Sequence, residues 1–245
     1  MEVTTVMRKT AKVMRPTPPP TAAIIVAAGS AARMGGIDKV MAELDGKPLI
    51  QHSLQTFQAS DMVHEIIVVT RPDLVDPIRH ICRLHEMTKV TCVVCGGADR
   101  TESVRKGMEQ VSRKMKLVAI HDAARPLIDD ETIAKALRKA AKTGAAAPAL
   151  PVKDTIKVVK KDAVVTTPDR SKLMAVQTPQ CFDKRMLMGA LTKAAADGAA
   201  LTDDCSAMEQ MGLPVYLTEG SERNFKVTTP LDLELARLLV SRKAE

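Results

Sequence analysis

The chain of 245 residues is 45% hydrophobic and 27% charged, with a formal net charge of +7, yet it holds only three Phe, one Tyr and no Trp. Without aromatic platforms for base stacking, the positive charge fits an anionic small molecule better than a nucleic acid. No apolar run reaches the roughly 18 residues of a membrane span, and five cysteines, at 82, 92, 95, 181 and 205, form no even disulfide framework and fit a reducing cytoplasm.

Residues 1–20 carry Arg8, Lys9, Lys12 and Arg15 against Glu2 and end in Pro16-Thr17-Pro18-Pro19-Pro20. Lacking the apolar segment of a secretory signal, they are expected to form a disordered, basic, Pro-rich tail ahead of one domain over 21–245. The small apolar run from Thr21 to Ala28 is too short for a self-supporting helix and too apolar for an edge strand, which predicts a buried parallel strand over 22–28. It opens into Gly29-Ser30-Ala31-Ala32-Arg33-Met34-Gly35-Gly36, with Lys39 beyond. Open α/β sheets bind ligands at this end of the strand. Small residues let main-chain N–H groups approach phosphate oxygens, and Arg33 and Lys39 supply cations to match a polyphosphate. The Walker spacing is absent, and Ala31 and Met34 break the GxGxxG dinucleotide spacing.

Further strands are expected at 65–70, 90–95, 117–121 and 145–150, with amphipathic helices near 48–59, 73–86, 100–113 and 130–142 between them. This alternation predicts an α/β fold, a Rossmann-like, mostly parallel sheet flanked by helices. Pro48 suits a first helical turn, while Asp129 can cap the helix that Gly144 stops. Cys92 and Cys95 have redox or zinc spacing, but on an apolar strand they point to opposite faces and read as core packing. The rhythm breaks at 152–171, two β-rich runs around Lys160-Lys161-Asp162. A lone hairpin is marginal in water, so this arm is expected to pack on a partner. A strand at 173–177, helices from about 184 and 203, a strand at 215–218 and a helix after Pro230 complete the chain.

Polar, small-residue turns follow two of the central strands: Gly96-Gly97-Ala98-Asp99-Arg100-Thr101-Glu102-Ser103 and His121-Asp122-Ala123-Ala124-Arg125-Pro126. Beyond them stand Asp154-Thr155, Asp169-Arg170, Gln177-Thr178-Pro179-Gln180, Thr202-Asp203-Asp204 and Asn224-Phe225-Lys226-Val227-Thr228. In this order the constellation resembles the 2-C-methyl-D-erythritol 4-phosphate cytidylyltransferases of the non-mevalonate isoprenoid pathway, over about residues 22 to 240.

The resemblance implies an enzyme that joins CTP to a sugar-alcohol phosphate and releases pyrophosphate. Arg33, Lys39 and Lys226 would be its catalytic cations. Ala27, Ala28 and Gly29 would hold the triphosphate, Gly97 and Ser103 the cytosine and ribose, and Asp122 and Ala123 the ribose region and reacting phosphates. Arg125, Thr155, Arg170, Thr178, Thr202 and Thr228 would form the sugar-phosphate side. Magnesium is expected with the CTP phosphates, held by their oxygens and water rather than by a named protein ligand. The arm implies a homodimer. His52, His64, His80 and His85 read as surface or packing residues, and His121 as orienting its loop. Ala31, Val40 and Ala98 depart from the family pattern, and altered affinity is the expected consequence. The alternatives are a ribitol 5-phosphate cytidylyltransferase, against which Ala124 argues, and a nucleotide-binding module without turnover.

Overall fold

A computed structural model of the chain describes residues 19–29 and 40–241. The expected tail, apart from Pro19 and Pro20, and the segment carrying Ala31, Arg33 and Lys39 lie outside the described residues. In chain order the elements are β1 (Thr21–Ala27), a small hairpin of β2 (Glu43–Leu44) and β3 (Lys47–Pro48), α1 (Leu49–Ala59), β4 (Glu65–Thr70), α2 (Val75–Leu84), β5 (Val90–Cys95), α3 (Arg100–Gln110), β6 (Leu117–Asp122), α4 (Asp130–Thr143) and β7 (Ala145–Pro151). The arm strands β8 (Val158–Lys160) and β9 (Ala163–Thr166) follow, then β10 (Met174–Val176), β11 (Gln180–Asp183), α5 (Lys184–Ala196), α6 (Asp204–Gln210), β12 (Tyr216–Glu219) and α7 (Pro230–Ser241).

The main sheet has the strand order β10-β7-β11-β6-β1-β4-β5, with β12 on β7. Strands β6, β1, β4 and β5 are parallel, as alternating strands and helices require. β11, which periodicity did not reveal, enters antiparallel between β6 and β7. Ala146 pairs with both Cys181 and Tyr216, and Ala149 with both Val176 and Glu219. A strand has two edges, so β10 and β11 share one edge of β7 while β12 takes the other. Four residues directly after Thr178-Pro179 are all that β11 offers to a pattern search, and Pro179 has no N–H for a ladder.

β1 is apolar from Ala22 onward because both its faces are covered. Ala23, Ile25 and Ala27 face a core with Ile50, Leu54, Phe57, Ile78, Ile133 and Leu137, under α1, α2 and α4. Ala22 and Ile24 face the opposite core, with Val104, Met108, Leu187, Leu191 and Met208 under α3, α5 and α6. A third cluster docks Leu233 and Ala236 of α7 on Leu44 of the β2–β3 hairpin. A side chain at Gly107 of α3 would stand 2.7 Å from Ile24 and 2.9 Å from Val69, so only glycine lets this helix lie so close to the sheet.

Asp129 caps α4 by accepting from the Thr132 N–H at 2.7 Å, and Gly144 ends it with a left-handed φ of 88°. Pro48 closes β3 one residue before α1 rather than standing in its first turn. Cys92 is half-buried, but Cys95 is exposed at the end of the edge strand β5, so only the first of the pair packs as expected. The arm is a hairpin whose strand residues are all exposed, turned by Lys161 at a φ of 55°. No helix among the described residues is long and apolar enough to cross a membrane.

Candidate active site

A cleft of about 280 Å³ opens at the carboxyl ends of β1, β5 and β6. The parallel register pairs Val26 with Asp122, which brings the end of β1 beside the only carboxylate of β6. Gly96 closes the opposite wall, since a side chain there would meet Ala28 Cβ and Ser103 Oγ, both at 2.7 Å. The loop into α3 is tied down at each step. The Gly97 N–H donates to Ser103 Oγ at 3.0 Å, and that hydroxyl donates to the Asp99 carbonyl at 2.8 Å. Asp99 caps the helix by accepting from the Glu102 N–H, and the Glu102 carboxylate accepts from the Ala98 N–H, both at 2.7 Å. These bonds fix the cleft wall before any ligand arrives.

Charge in the cleft is arranged in alternating sign. Lys226 Nζ lies 2.7 Å from Asp122, Arg100 lies 3.5 Å from the other Asp122 oxygen, and Arg100 reaches the buried Asp204 at 2.7 Å. Burial alone would raise the Asp122 pKa, but Arg100 and Lys226 outweigh it and hold the carboxyl at about 2. Asp122 is therefore a fixed negative charge near neutrality and too weak a base to take a proton. Burial also opposes the charge on Arg100, but Asp204 and Asp122 overcome that effect and raise its pKa further.

Beneath the cleft runs a directed chain of hydrogen bonds. The Asp122 N–H donates to Thr178 Oγ1 at 3.1 Å, the Thr178 hydroxyl lies 3.0 Å from His121 Nδ1, and His121 Nε2 lies 3.3 Å from the Arg125 carbonyl. Of the two neutral tautomers, only the one with its proton on Nε2 satisfies all three bonds at once, since Nε2 must donate to the Arg125 carbonyl. Burial lowers the His121 pKa to about 4, in agreement with that neutral state. Phe57 packs on the ring at 4.9 Å, and Ser53 of α1 donates to the Ala123 and Arg125 carbonyls.

The segment 221–228 is anchored to the same chain. Asn224, wholly buried, donates from Nδ2 to the Thr178 carbonyl at 2.8 Å and to Gln177 Oε1 at 3.4 Å. Its own carbonyl accepts from Arg125 Nη1 at 2.6 Å, and the Val227 N–H donates to the Ala124 carbonyl at 2.8 Å. On the far side, Gln180 Oε1 accepts from the Asp204 and Cys205 N–H groups, and its Nε2 donates to Asp203. This interlock fixes the start of α6, and with it the carboxylate that faces Arg100.

Of the residues proposed from sequence, Ala27, Ala28, Gly29, Gly97, Ser103, Asp122 and Lys226 line the cleft. Ala123 is buried behind it, Thr178 is buried in the hydrogen-bond chain, and Arg125 spans to Asn224. Thr228 holds Asp232 at the start of α7 with both its N–H and its hydroxyl. Thr202 is exposed ahead of α6. Thr155 and Arg170 are exposed on the arm segment, where Arg170 Nη1 donates to the Lys153 carbonyl. Arg33 and Lys39 lie outside the described residues. The roles of Arg100, Asp204, Gln180 and Asn224 were not anticipated. Arg100 and Asp204 are 104 positions apart and meet only in the fold. Asn224 and Gln180 stand within singled-out motifs, but their work is done by burial, which sequence does not display.

Among the described residues no three His, Cys, Asp or Glu side chains gather as metal ligands. Asp122 and Asp99 are the carboxylates that line the cleft, and Asp99 is engaged as the cap of α3, a donor set that suits an ion carried mainly by the phosphates and water of its ligand.

The family model described as 2-C-methyl-D-erythritol 4-phosphate cytidylyltransferase (IspD) matches residues 21–242. A protein of that name from Caldanaerobacter subterraneus subsp. tengcongensis is 41% identical over 220 residues, covering 89% of this chain and 97% of its own. Another, from Streptomyces coelicolor, is 40% identical over 239 residues, covering 93% and 87%. The crystal structure of 4-diphosphocytidyl-2C-methyl-D-erythritol synthase from Anaerococcus prevotii superposes with a TM-score of 0.81 at 30% identity, covering 91% of this chain and 96% of that one.

Proposed function

The chain belongs to the 2-C-methyl-D-erythritol 4-phosphate cytidylyltransferase family, and from that premise we propose that it joins CTP to 2-C-methyl-D-erythritol 4-phosphate. The products are 4-diphosphocytidyl-2-C-methyl-D-erythritol and pyrophosphate, in the non-mevalonate route to isoprenoid precursors. The observation that carries this reading is the group Lys226, Asp122 and Arg100 at the carboxyl end of a parallel sheet, facing a cleft walled by Gly29 and Gly97. None of the relatives named above is described as acting on ribitol 5-phosphate.

In the reaction, an oxygen of the sugar-alcohol phosphate attacks the α-phosphorus of CTP and forms a new P–O bond. The bond to the β-phosphate breaks, and its electron pair leaves on pyrophosphate. The attacking phosphate is already ionised, so no general base is needed, in keeping with an Asp122 too acidic and a His121 too enclosed to act as one. Charge grows on the α-phosphoryl oxygens, and Lys226, with Arg33 and Lys39, stabilises it there. Ala27, Ala28 and Gly29 present main chain to the triphosphate, while Gly97 and Ser103 take the nucleoside and Ala123, buried behind the cleft, backs the ribose region. Magnesium carried by the CTP phosphates would supply further positive charge, and Asp122 would be the carboxylate to hold it.

The sugar-alcohol phosphate meets Arg125 and a rim made by Thr202 and Thr228, with Thr178 buried beneath it, together with Thr155 and Arg170 from the arm of a second subunit. The arm's bare valines support a homodimer: Val159 is 57% and Val165 62% exposed on a two-stranded ribbon with no core of its own. One domain over 21–245 in a reducing cytoplasm, where the five free thiols persist, completes the proposal. Pyrophosphate release from CTP, measured with each sugar phosphate in turn, tests it. Release with 2-C-methyl-D-erythritol 4-phosphate alone is expected; release only with ribitol 5-phosphate, or with neither, would refute it.

A further inference from the structure

Asn224 makes no contact with the cleft, yet it stands where three segments of the site converge. Its amide grips the Thr178 main chain, its carbonyl holds Arg125, and two residues on Lys226 points back to Asp122. Its Oδ1 is buried with no hydrogen-bond partner among the described residues, which carries an uncompensated desolvation cost. Stability alone gives no reason to keep an amide half satisfied; a side chain that fixes the path of its backbone does. Lys226 is 40% exposed, and a long, part-solvated lysine has rotamer freedom that its single ion pair does not remove. Anchoring the backbone on both sides of it, at Asn224 and through the Val227 N–H, narrows that freedom.

We propose that Asn224 is a positioning residue for the transfer reaction, acting through Lys226 by holding its backbone against the chain of Thr178, His121 and Asp122. This rests on the catalytic reading of Lys226 given above. The amide touches no substrate, so its loss should fall on kcat, with the KM for CTP little moved.

The test is a double-mutant cycle in the full-length enzyme, built from Asn224→Ala and Lys226→Ala, with turnover followed by pyrophosphate release. Removing Asn224 should slow the otherwise intact enzyme on the order of tenfold, within the range for coupled neighbours. In the Lys226→Ala background the same change should cost less than about twofold, because the group it positions is gone. Asn224→Ser leaves a smaller hole and serves the same cycle where the alanine variant melts below the assay temperature. A residue that merely supports the fold would cost the same factor in both backgrounds, and that additivity would overturn the proposal while leaving Lys226 catalytic. An undiminished Lys226→Ala enzyme would overturn both readings.

Discussion

Acid should destabilise the folded chain through His121. The imidazole is wholly buried, and its pKa falls from 6.5 to about 4 on folding because burial disfavours the charged ring. The unfolded chain therefore binds a proton between these limits that the folded chain refuses, and stability rises with pH across the window and is lost as pH falls through it. For one such group, going from pH 7 to pH 5 removes about 2 kcal/mol of unfolding free energy. Asp122 adds nothing there, since its depressed pKa costs stability only below the ordinary carboxylate range. Urea unfolding at pH 7 and pH 5, at constant ionic strength, measures the loss. His121→Gln isolates its source, because the amide can accept from Thr178 and donate to the Arg125 carbonyl without titrating. The variant should lose about 2 kcal/mol less than the parent over the same interval. If parent and variant lose equal amounts, the proton enters elsewhere and the neutral, doubly bonded imidazole is wrong.

Replacing Lys226 or Lys39 with Ala should lower kcat by roughly 10² while CTP binding changes far less, because each cation meets charge that grows in the transition state; steady-state kinetics and CTP titration separate the two effects, and unchanged turnover removes that lysine from the mechanism. Mixing Lys39→Ala with Arg170→Ala subunits should recover about a quarter of parental activity, since random pairing makes half the dimers mixed and each mixed dimer has one intact site. Mixed dimers as inactive as their parents would confine Arg170 to its own subunit or exclude it. Gly107→Ala should lower stability by about 1–3 kcal/mol in chemical denaturation, because its methyl would press on Ile24 and Val69; an unchanged midpoint would mean that α3 can move off the sheet freely.

Elements that announce themselves by period and punctuation were legible in the sequence. β1 from Ala22 and β6 up to Ile120 are apolar on both faces, and α4 begins at a capping Asp and ends at a Gly, so their pattern survives without tertiary information. β11 was hidden because four residues sandwiched between β6 and β7 carry no period of their own, and Gln180 and Asp183 flank its apolar pair with polar side chains. In the candidate site, Asp122 and Lys226 could be picked out because charged side chains in small-residue loops suggest chemistry. Arg100 and Asp204 looked like ordinary helix-start residues, and their ion pair depends on a fold that brings α3 and α6 together. Residues that act by being enclosed, such as Asn224 and Gln180, leave no local trace.

The union of the 221–228 segment with the end of β6 joins parts of the chain that are made far apart in time. Asp122 emerges during synthesis long before Lys226, and until the later segment arrives Asp122 lacks its nearer cation, while the Arg125 guanidinium has no Asn224 carbonyl to receive it. A nascent chain with β1, β4, β5 and β6 already paired would expose these groups to water at the open end of its sheet. Asp122 can thus meet its nearer cation only after β12 and the segment that follows it have been made and the chain has turned back to the end of β6.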